Sequence, residues 1–228
     1  YDEKRDRYLL KKAVDDTKDQ SYVLYMLTQE QLAHVKLPLG GLRKDQVRVI
    51  AEEHGFINAR KHDSQDICFV PDGDYAKFIE KYTGKKTPEG DFVDKEGNYI
   101  GRHKGIIHYT IGQRRGLGIP AASRLYVCEI SPKTNTVVLG DNSDLFSSEL
   151  EADSVNLISV ADLSEPKRVT AKIRYRHKEQ PATAWQTPDG ILHVKFDEPQ
   201  RAITKGQAVV MYDGNEVVGG GVINKIYN

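Results

Sequence analysis

The chain has 228 residues, with 33 Lys+Arg balanced by 33 Asp+Glu, 39% hydrophobic and 29% charged residues. This is an ordinary soluble composition with apolar material for one or two cores, which argues against global disorder, and the balanced charge does not announce a nucleic-acid partner as a high-pI domain would. There is no run of about eighteen apolar residues and no charged-then-apolar leader, so neither a membrane span nor a secretory signal is supported and a cytoplasmic protein is expected. Two cysteines, Cys68 and Cys128, are too few for a disulfide scaffold and lack metal-ligand spacing, as in a reducing compartment. The first residue is Tyr1 rather than Met, and the sequence is expected to be part of something longer.

In chain order, the first seventy residues read as helical. Thr28 and Gln31 stand in a capping-box relation ahead of "LAHV", and "KDQVRVIAEEHG" sets Val47, Ile50 and Ala51 on one face with Gly55 as its stop. "GDYAKFIEKYTG" predicts a third helix, with Asp72 or Asp74 as cap, Gly84 as terminator, and Tyr75, Phe78, Ile79 and Tyr82 as a packing stripe. "DFVDKEGNYIG" predicts a hairpin turning at Glu96-Gly97-Asn98, followed by the glycine-rich "GIIHYTIGQRRGLGIP". From about Leu125 the style changes to short alternating runs: "LYVCEI", "TVVLG", "RVTAKIRYRH", "ATAWQT", "ILHVKF", "QAVVMY" and "EVVGGGVI". Pro-Asp-Gly at 188–190 and Asp-Gly-Asn at 213–215 serve as hairpin connectors, and strands at this spacing predict a closed antiparallel barrel. The predicted fold class is multi-domain α+β, divided at 1–71, 72–123 and 124–228.

Charge is patterned although it sums to zero. No acid lies between Glu96 and Glu129, where Arg102, Lys104, Arg114, Arg115 and Arg124 fall, nor between Glu165 and Glu179, which flank six basic residues. Such islands can focus positive potential toward a polyanion, or they can be solvated faces. In "RVTAKIRYRH", strand alternation puts Val169, Ala171, Ile173 and Tyr175 on one side and Thr170, Lys172, Arg174 and Arg176 on the other. Three cations in line suit regularly spaced phosphates; the alternative is an outer face matched by cross-strand acids. "IGQRRGLGIP" offers three glycines with Gln113, Arg114 and Arg115, a clamp for RNA phosphate or else a structural loop, and it lacks the Gly-Lys-Ser/Thr ending of a P-loop. By composition Cys68, in "DICFV", reads as a buried small hydrophobe or a nucleophile, with Asp63 and Asp66 disfavouring the thiolate; Cys128, alternating with Tyr126 and Ile130, reads as core.

"KDQSYVLYML" at 18–27, "DSQDICFV" at 63–70 and "GRHKGIIHYTIGQRRGLGI" at 101–119 resemble, in order and style, the tRNA-specific 2-thiouridylase family, as do "IRYRH" and "GQAVVMYDGNEVVGGGVI". The resemblance covers nearly the whole chain. It implies the helical tail of an ATP-pyrophosphatase-type α/β domain carrying adenylation and sulfur transfer, a small central tRNA-recognition domain, and a C-terminal barrel similar to domain 2 of elongation factor Tu. It also implies Mg-dependent use of ATP to adenylate the C2 oxygen of a wobble uridine, sulfur delivery from a cysteine persulfide, and a sulfur-donor protein as partner. Cys68 matches the persulfide cysteine; Lys18, Asp19, Gln20, Arg174, Tyr175 and Gln207 match tRNA-contacting positions, to which Arg114 and Arg115 are added from the glycine loop. The family's "SGGVDSS"-type nucleotide loop and the partner cysteine that would form a transient disulfide do not occur in this sequence. ATP contacts are therefore expected outside it, and no metal site is expected within it. The alternative is a non-catalytic RNA-binding module.

Overall fold

The computed structural model describes residues 1–61, 70, 73–120 and 123–227. Four α-helices are described: α1 (Ser21–Leu24), α2 (Gln29–His34), α3 (Lys44–Glu53) and α4 (Tyr75–Thr83). The strands are β1 (Gly90–Val93), β2 (Tyr99–His103), β3 (Tyr126–Ser131), β4 (Thr136–Gly140), β5 (Phe146–Leu157), β6 (Lys167–Lys172), β7 (Gln180–Gln186), β8 (Leu192–Arg201), β9 (Ala208–Asp213) and β10 (Glu216–Tyr227). They divide between two compact units, one formed by Tyr1–Lys61 with Ser147–Asn228 and the other by His62–Phe146.

The first unit is a closed barrel in the order β10-β5-β8-β7-β6-β9, with an N-terminal segment laid over part of its outside. Alternation fills the interior: Val169 and Ala171 on β6, Ala182 and Ala184 on β7, Leu192, Val194 and Phe196 on β8, and Val209 and Met211 on β9 form one core. Gly190 and Gly214, at φ 86 and 59, turn the two connectors that the sequence marked between β7 and β8 and between β9 and β10. The run "AVVMY" does not alternate with solvent because β9 is covered on both sides. Val209 and Met211 face the barrel core, while Val210 and Tyr212 join Leu10, Tyr22, Tyr25, Ile158 and Val217 in a second cluster. Gly220 permits that cover: a Cβ there would stand 2.7 Å from Tyr25 Cδ2 and 2.5 Å from the Val209 carbonyl oxygen.

Two helices of this unit have their starts fixed by side chains. Thr28 Oγ1 accepts from the Gln31 amide at 3.2 Å while Gln31 Oε1 accepts from the Thr28 amide at 2.9 Å, the reciprocal box read from the sequence. Asp15 fastens the start of α3: one carboxylate oxygen accepts from the Lys44 amide at 2.9 Å and the other from the Thr17 amide and hydroxyl. The Thr17 hydroxyl first, then the Lys44 amide, hold its carboxyl below the usual aspartate value.

In the second unit a four-stranded sheet runs β2-β1-β4-β3, with β1 parallel to β4 and the outer pairs antiparallel. Phe92, Tyr109, Val127, Val137 and Leu139 form its core. His103 is packed against the rings of Phe92 and Tyr109 and is satisfied at both nitrogens: Nδ1 accepts from the Gly105 amide at 3.0 Å, so Nε2 donates to the Asn135 carbonyl at 3.1 Å. The β1–β2 hairpin turns on Asp94, which accepts from the Asn98 amide, with Gly97 at φ 86.

Four expectations change. "LYVCEI" and "TVVLG", read as barrel strands within 124–228, are β3 and β4 of the second unit's sheet, and the barrel's strands begin only at Phe146. β5, whose "SSELEADSVNL" carries no clean alternation, supplies the strand that joins β10 to β8. Cys128 does not lie on the core face: Val127 and Ile130 pair with Leu139 and Val137, and Cys128 is the extra residue at the register shift between them. The stripe on α4 is not packing, since Tyr75, Ile79 and Tyr82 are exposed and the buried residue is Ala76.

Candidate nucleic-acid interface

Three stretches that are far apart in sequence meet around the Tyr22 ring in the first unit. The first is Lys18–Gln20, leading into α1. Asp19 is held by its neighbours: its carboxylate accepts from the Ala13 amide at 3.0 Å, the Ser21 amide at 3.2 Å and the Ser21 hydroxyl at 2.5 Å. That saturates the carboxylate and fixes the turn, leaving the side chains of Lys18 and Gln20 exposed. The second stretch follows β6. Gln20 Nε2 donates to the Tyr175 hydroxyl at 2.6 Å, which itself donates to the Asp19 carbonyl at 3.3 Å. The Tyr175 ring meets Tyr22 edge-on at 6.1 Å between centroids. The third is the β8–β9 loop: Arg174 Nη1 donates to the carbonyls of Arg201 and Ala202 at 3.2 and 3.5 Å, and the Tyr22 hydroxyl donates to the Ala208 carbonyl at 2.8 Å, next to the exposed Gln207.

The strand alternation proposed for "RVTAKIRYRH" holds through Ile173 and then stops. Val169, Ala171 and Ile173 are buried, but the strand ends at Lys172 and Tyr175 lies in a turn with 39% of its surface exposed. The ladder of cations is correspondingly broken. Lys172 Nζ lies 5.9 Å from the Tyr22 ring centroid, Arg174 reaches inward to carbonyls, and Arg176 and Lys178 are exposed. Lower on β6, Lys167 pairs with Asp213 at 2.8 Å and Arg168 makes a forked pair with Asp197 at 2.7 Å. A stretch free of acids in sequence is thus partly neutralised by acids from other strands, and the positive end that remains is the one beside Tyr175.

Electrostatics agree with this division. Burial pushes the Tyr22 phenol up to about 12, opposed in part by the Arg174 cation, so it stays a neutral donor. His177, which the sequence reading passed over, follows the same turn; burial first, then Arg174 and Lys172, lower its pKa, and its Nδ1 is buried without a hydrogen-bond partner among the described residues. "RYRHK" carried a weak signal for it, a histidine within a basic run.

In the second unit, Arg114 and Arg115 are exposed on the glycine loop. Gln113 is structural: it accepts from the Thr110 amide at 3.0 Å, donates to the Arg115 carbonyl at 2.9 Å, and its backbone carbonyl accepts from Val127 on β3. An open cavity of about 470 Å³ is lined by Arg114, Gly116, Gly118, Ser123 and Arg124 with Leu117, Ile119 and their neighbours. Its two guanidiniums and its glycine backbone suit an anion. A second cavity, of about 320 Å³ in the first unit, is neutralised internally by Arg5–Glu216 and Lys167–Asp213 pairs. Cys128 is a free thiol of intermediate exposure, pushed up to about 11 by burial first and then by the Asp144 carboxylate. Among the described residues no group of three or more His, Cys, Asp and Glu is placed to hold a metal ion. Cys68 lies outside the described residues.

Three family models match in succession: the "tRNA methyl transferase HUP domain" over residues 1–72, the "tRNA methyl transferase PRC-barrel domain" over 76–141, and the "aminomethyltransferase beta-barrel domain" over 147–223. The tRNA-specific 2-thiouridylase MnmA of Clostridioides difficile (strain 630) is 57% identical over 224 residues, 98% of this chain. The chain belongs to the tRNA-specific 2-thiouridylase family. Acetivibrio thermocellus has a 2-thiouridylase MnmA 55% identical over 98% of the chain, and Thermoanaerobacter sp. (strain X514) one 54% identical over 99%. The chain spans 62% of the length of each of these 2-thiouridylases. The order of the family's three domains agrees with the fold: the HUP match covers α1–α3, the PRC-barrel match covers α4 and β1–β4, and the β-barrel match covers most of β5–β10.

Proposed function

We propose that this chain is the tRNA-gripping and sulfur-carrying part of an enzyme that converts a wobble uridine of tRNA to 2-thiouridine, with Cys68 as the persulfide cysteine. The observation that carries the reading is the convergence of Lys18–Gln20, Arg174–Tyr175 and Gln207 on one surface around Tyr22. The family descriptions speak of methyl transfer and the relatives' names of thiolation; more than half identity along nearly the entire chain favours thiolation. In the β-barrel unit, Lys18, Gln20, the Tyr175 ring, Arg176 and Gln207 provide charge and a stacking face, while Asp19, Arg174 and Tyr22 hold them in place. In the other unit, Arg114 and Arg115 grip phosphate beside the open cavity.

Exchange of oxygen for sulfur at C2 requires a polarizable nucleophile at a carbon whose oxygen has been turned into a leaving group. The terminal sulfur of the Cys68 persulfide bonds to C2 as the activated oxygen leaves. A thiol from outside this sequence then attacks the Cys68 sulfur, breaking the S–S bond so that C2 keeps the sulfur and a disulfide forms. A cellular thiol must reduce that disulfide before a protein donor reloads Cys68. The target base must leave its stack to be reached. No ATP-handling step is assigned to residues of this chain. Cys68→Ser in the intact enzyme should abolish 2-thiouridine formation, measured by nucleoside mass spectrometry, while tRNA affinity stays within about twofold. Thiolation that survives the substitution would overturn the assignment of Cys68.

A further inference from the structure

Helix α4 is made like a core element but faces water. Asp74 caps it, accepting from the Lys77 amide at 3.0 Å, and Gly84 ends it at φ 67. Its apolar residues recur at i, i+3, i+4 and i+7, yet Tyr82 is 82% exposed, Tyr75 45% and Ile79 41%. Phe78 and Tyr82 are stacked, their planes within 13° and their centroids 6.1 Å apart, so one ring of an exposed aromatic ladder is already backed by another. The charges around it are mixed with lysine in excess: Lys81, Lys85 and Lys86 are exposed, while the Glu80 carboxylate accepts from the Thr87 amide at 3.0 Å and the Asp74 carboxylate from the Lys77 amide at 3.0 Å.

We infer that α4 is a stacking platform for unpaired bases of an RNA loop, with Tyr82 and Tyr75 under the bases and Lys81, Lys85 and Lys86 on the phosphates. This rests on the tRNA reading and adds to it where the loop sits. Exposed aromatic faces on a helix with an excess of lysines complement a single strand: bases supply rings, and phosphates balance the excess positive charge. A paired duplex offers no free base faces, so a loop is favoured over a helix.

The test compares an RNA hairpin with an unpaired loop against a fully paired duplex of equal length, by fluorescence anisotropy at fixed salt. Tyr82→Ala should weaken hairpin binding about tenfold and leave duplex binding unchanged. Tyr82→Phe, which keeps the ring, should bind the hairpin as the unaltered protein does. Joint Lys85→Ala and Lys86→Ala should weaken both ligands and reduce the salt slope by about 2. Thermal melts check that each variant folds. If Tyr82→Ala binds the hairpin normally while Tyr22→Ala weakens it, the platform is refuted and the tRNA reading stands. If the unaltered protein binds neither RNA, both fail. If Tyr82→Ala instead changes sedimentation of the protein, the face belongs to a protein contact and the inference is overturned.

Discussion

Tyr22 should separate support from contact. Its ring is 7% exposed, its hydroxyl donates to the Ala208 carbonyl at 2.8 Å, and Tyr175 and Lys172 lean on its faces. Tyr22→Phe removes one hydrogen bond and leaves the ring; with Ala208 only half-buried, its carbonyl can turn to water, so the cost should be about 1 kcal/mol. Tyr22→Ala also removes the ring from the Leu10, Tyr25, Val210 and Tyr212 cluster, for a total of about 4 kcal/mol. Equilibrium urea unfolding reads both as shifts in midpoint at constant slope. In parallel, tRNA affinity should stay within about twofold for Phe and fall about tenfold for Ala, because the edge contact that orients Tyr175 is lost. Since the ring carries no charge, the salt dependence of binding should not change. If Ala destabilises as calculated but binds tRNA normally, the Tyr22 cluster is a packing feature and the interface lies elsewhere. Equal effects of Phe and Ala on stability would refute the role given to the ring.

Gly220→Ala would place its Cβ 2.5 Å from the Val209 carbonyl and 2.7 Å from Tyr25, and should cost about 2 kcal/mol; adding Tyr25→Ala should recover only the ring's share of the clash, measured in the same unfolding assay. The Cys128 thiol, at about 11, should be about a thousandth thiolate at pH 8 and react slowly with iodoacetamide, with the rate climbing toward pH 11; Asp144→Asn should quicken it by removing a negative neighbour, and rapid labelling of the unaltered thiol at pH 8 would contradict the described packing.

Local signals were readable because their physics is local. The Thr28–Gln31 box, the Asp74 and Gly84 ends of α4 and the glycine turns at 190 and 214 each involve neighbours in sequence. What the sequence could not state was which sheet a strand joins. β3 and β4 have the composition of barrel strands, and only the parallel pairing of β4 with β1 assigns them to the other unit. β5 was hidden because its buried residues fall at Ser147, Leu150 and Ala152, a spacing of three and then two, opposite a β10 strand with two register shifts. Tyr175 was assigned to a buried face by extending a period of two beyond Ile173, where no glycine or proline warns that the strand has ended. In the candidate site, residue types were legible and their roles were not, since hydrogen-bond occupancy is a tertiary property.

That occupancy sets how the proposed interface would work. Asp19 has both carboxylate oxygens engaged within its own turn, and a bare carboxylate would repel phosphate, so its value lies in fixing Lys18 and Gln20. Arg174 spends Nη1 on two loop carbonyls and retains its other donors in a fixed plane, so it ties the β8–β9 loop to β6 while it can still fork toward an anion. A lysine there would keep the charge and lose the planar link, which makes Arg174 a joint between the β8–β9 loop and the Tyr175 turn, in addition to the phosphate contact proposed for it. The surface is therefore preorganised from beneath: ordering costs that a flexible basic patch would meet on binding RNA are met during folding, by the same bonds that close the barrel's edge around Tyr22.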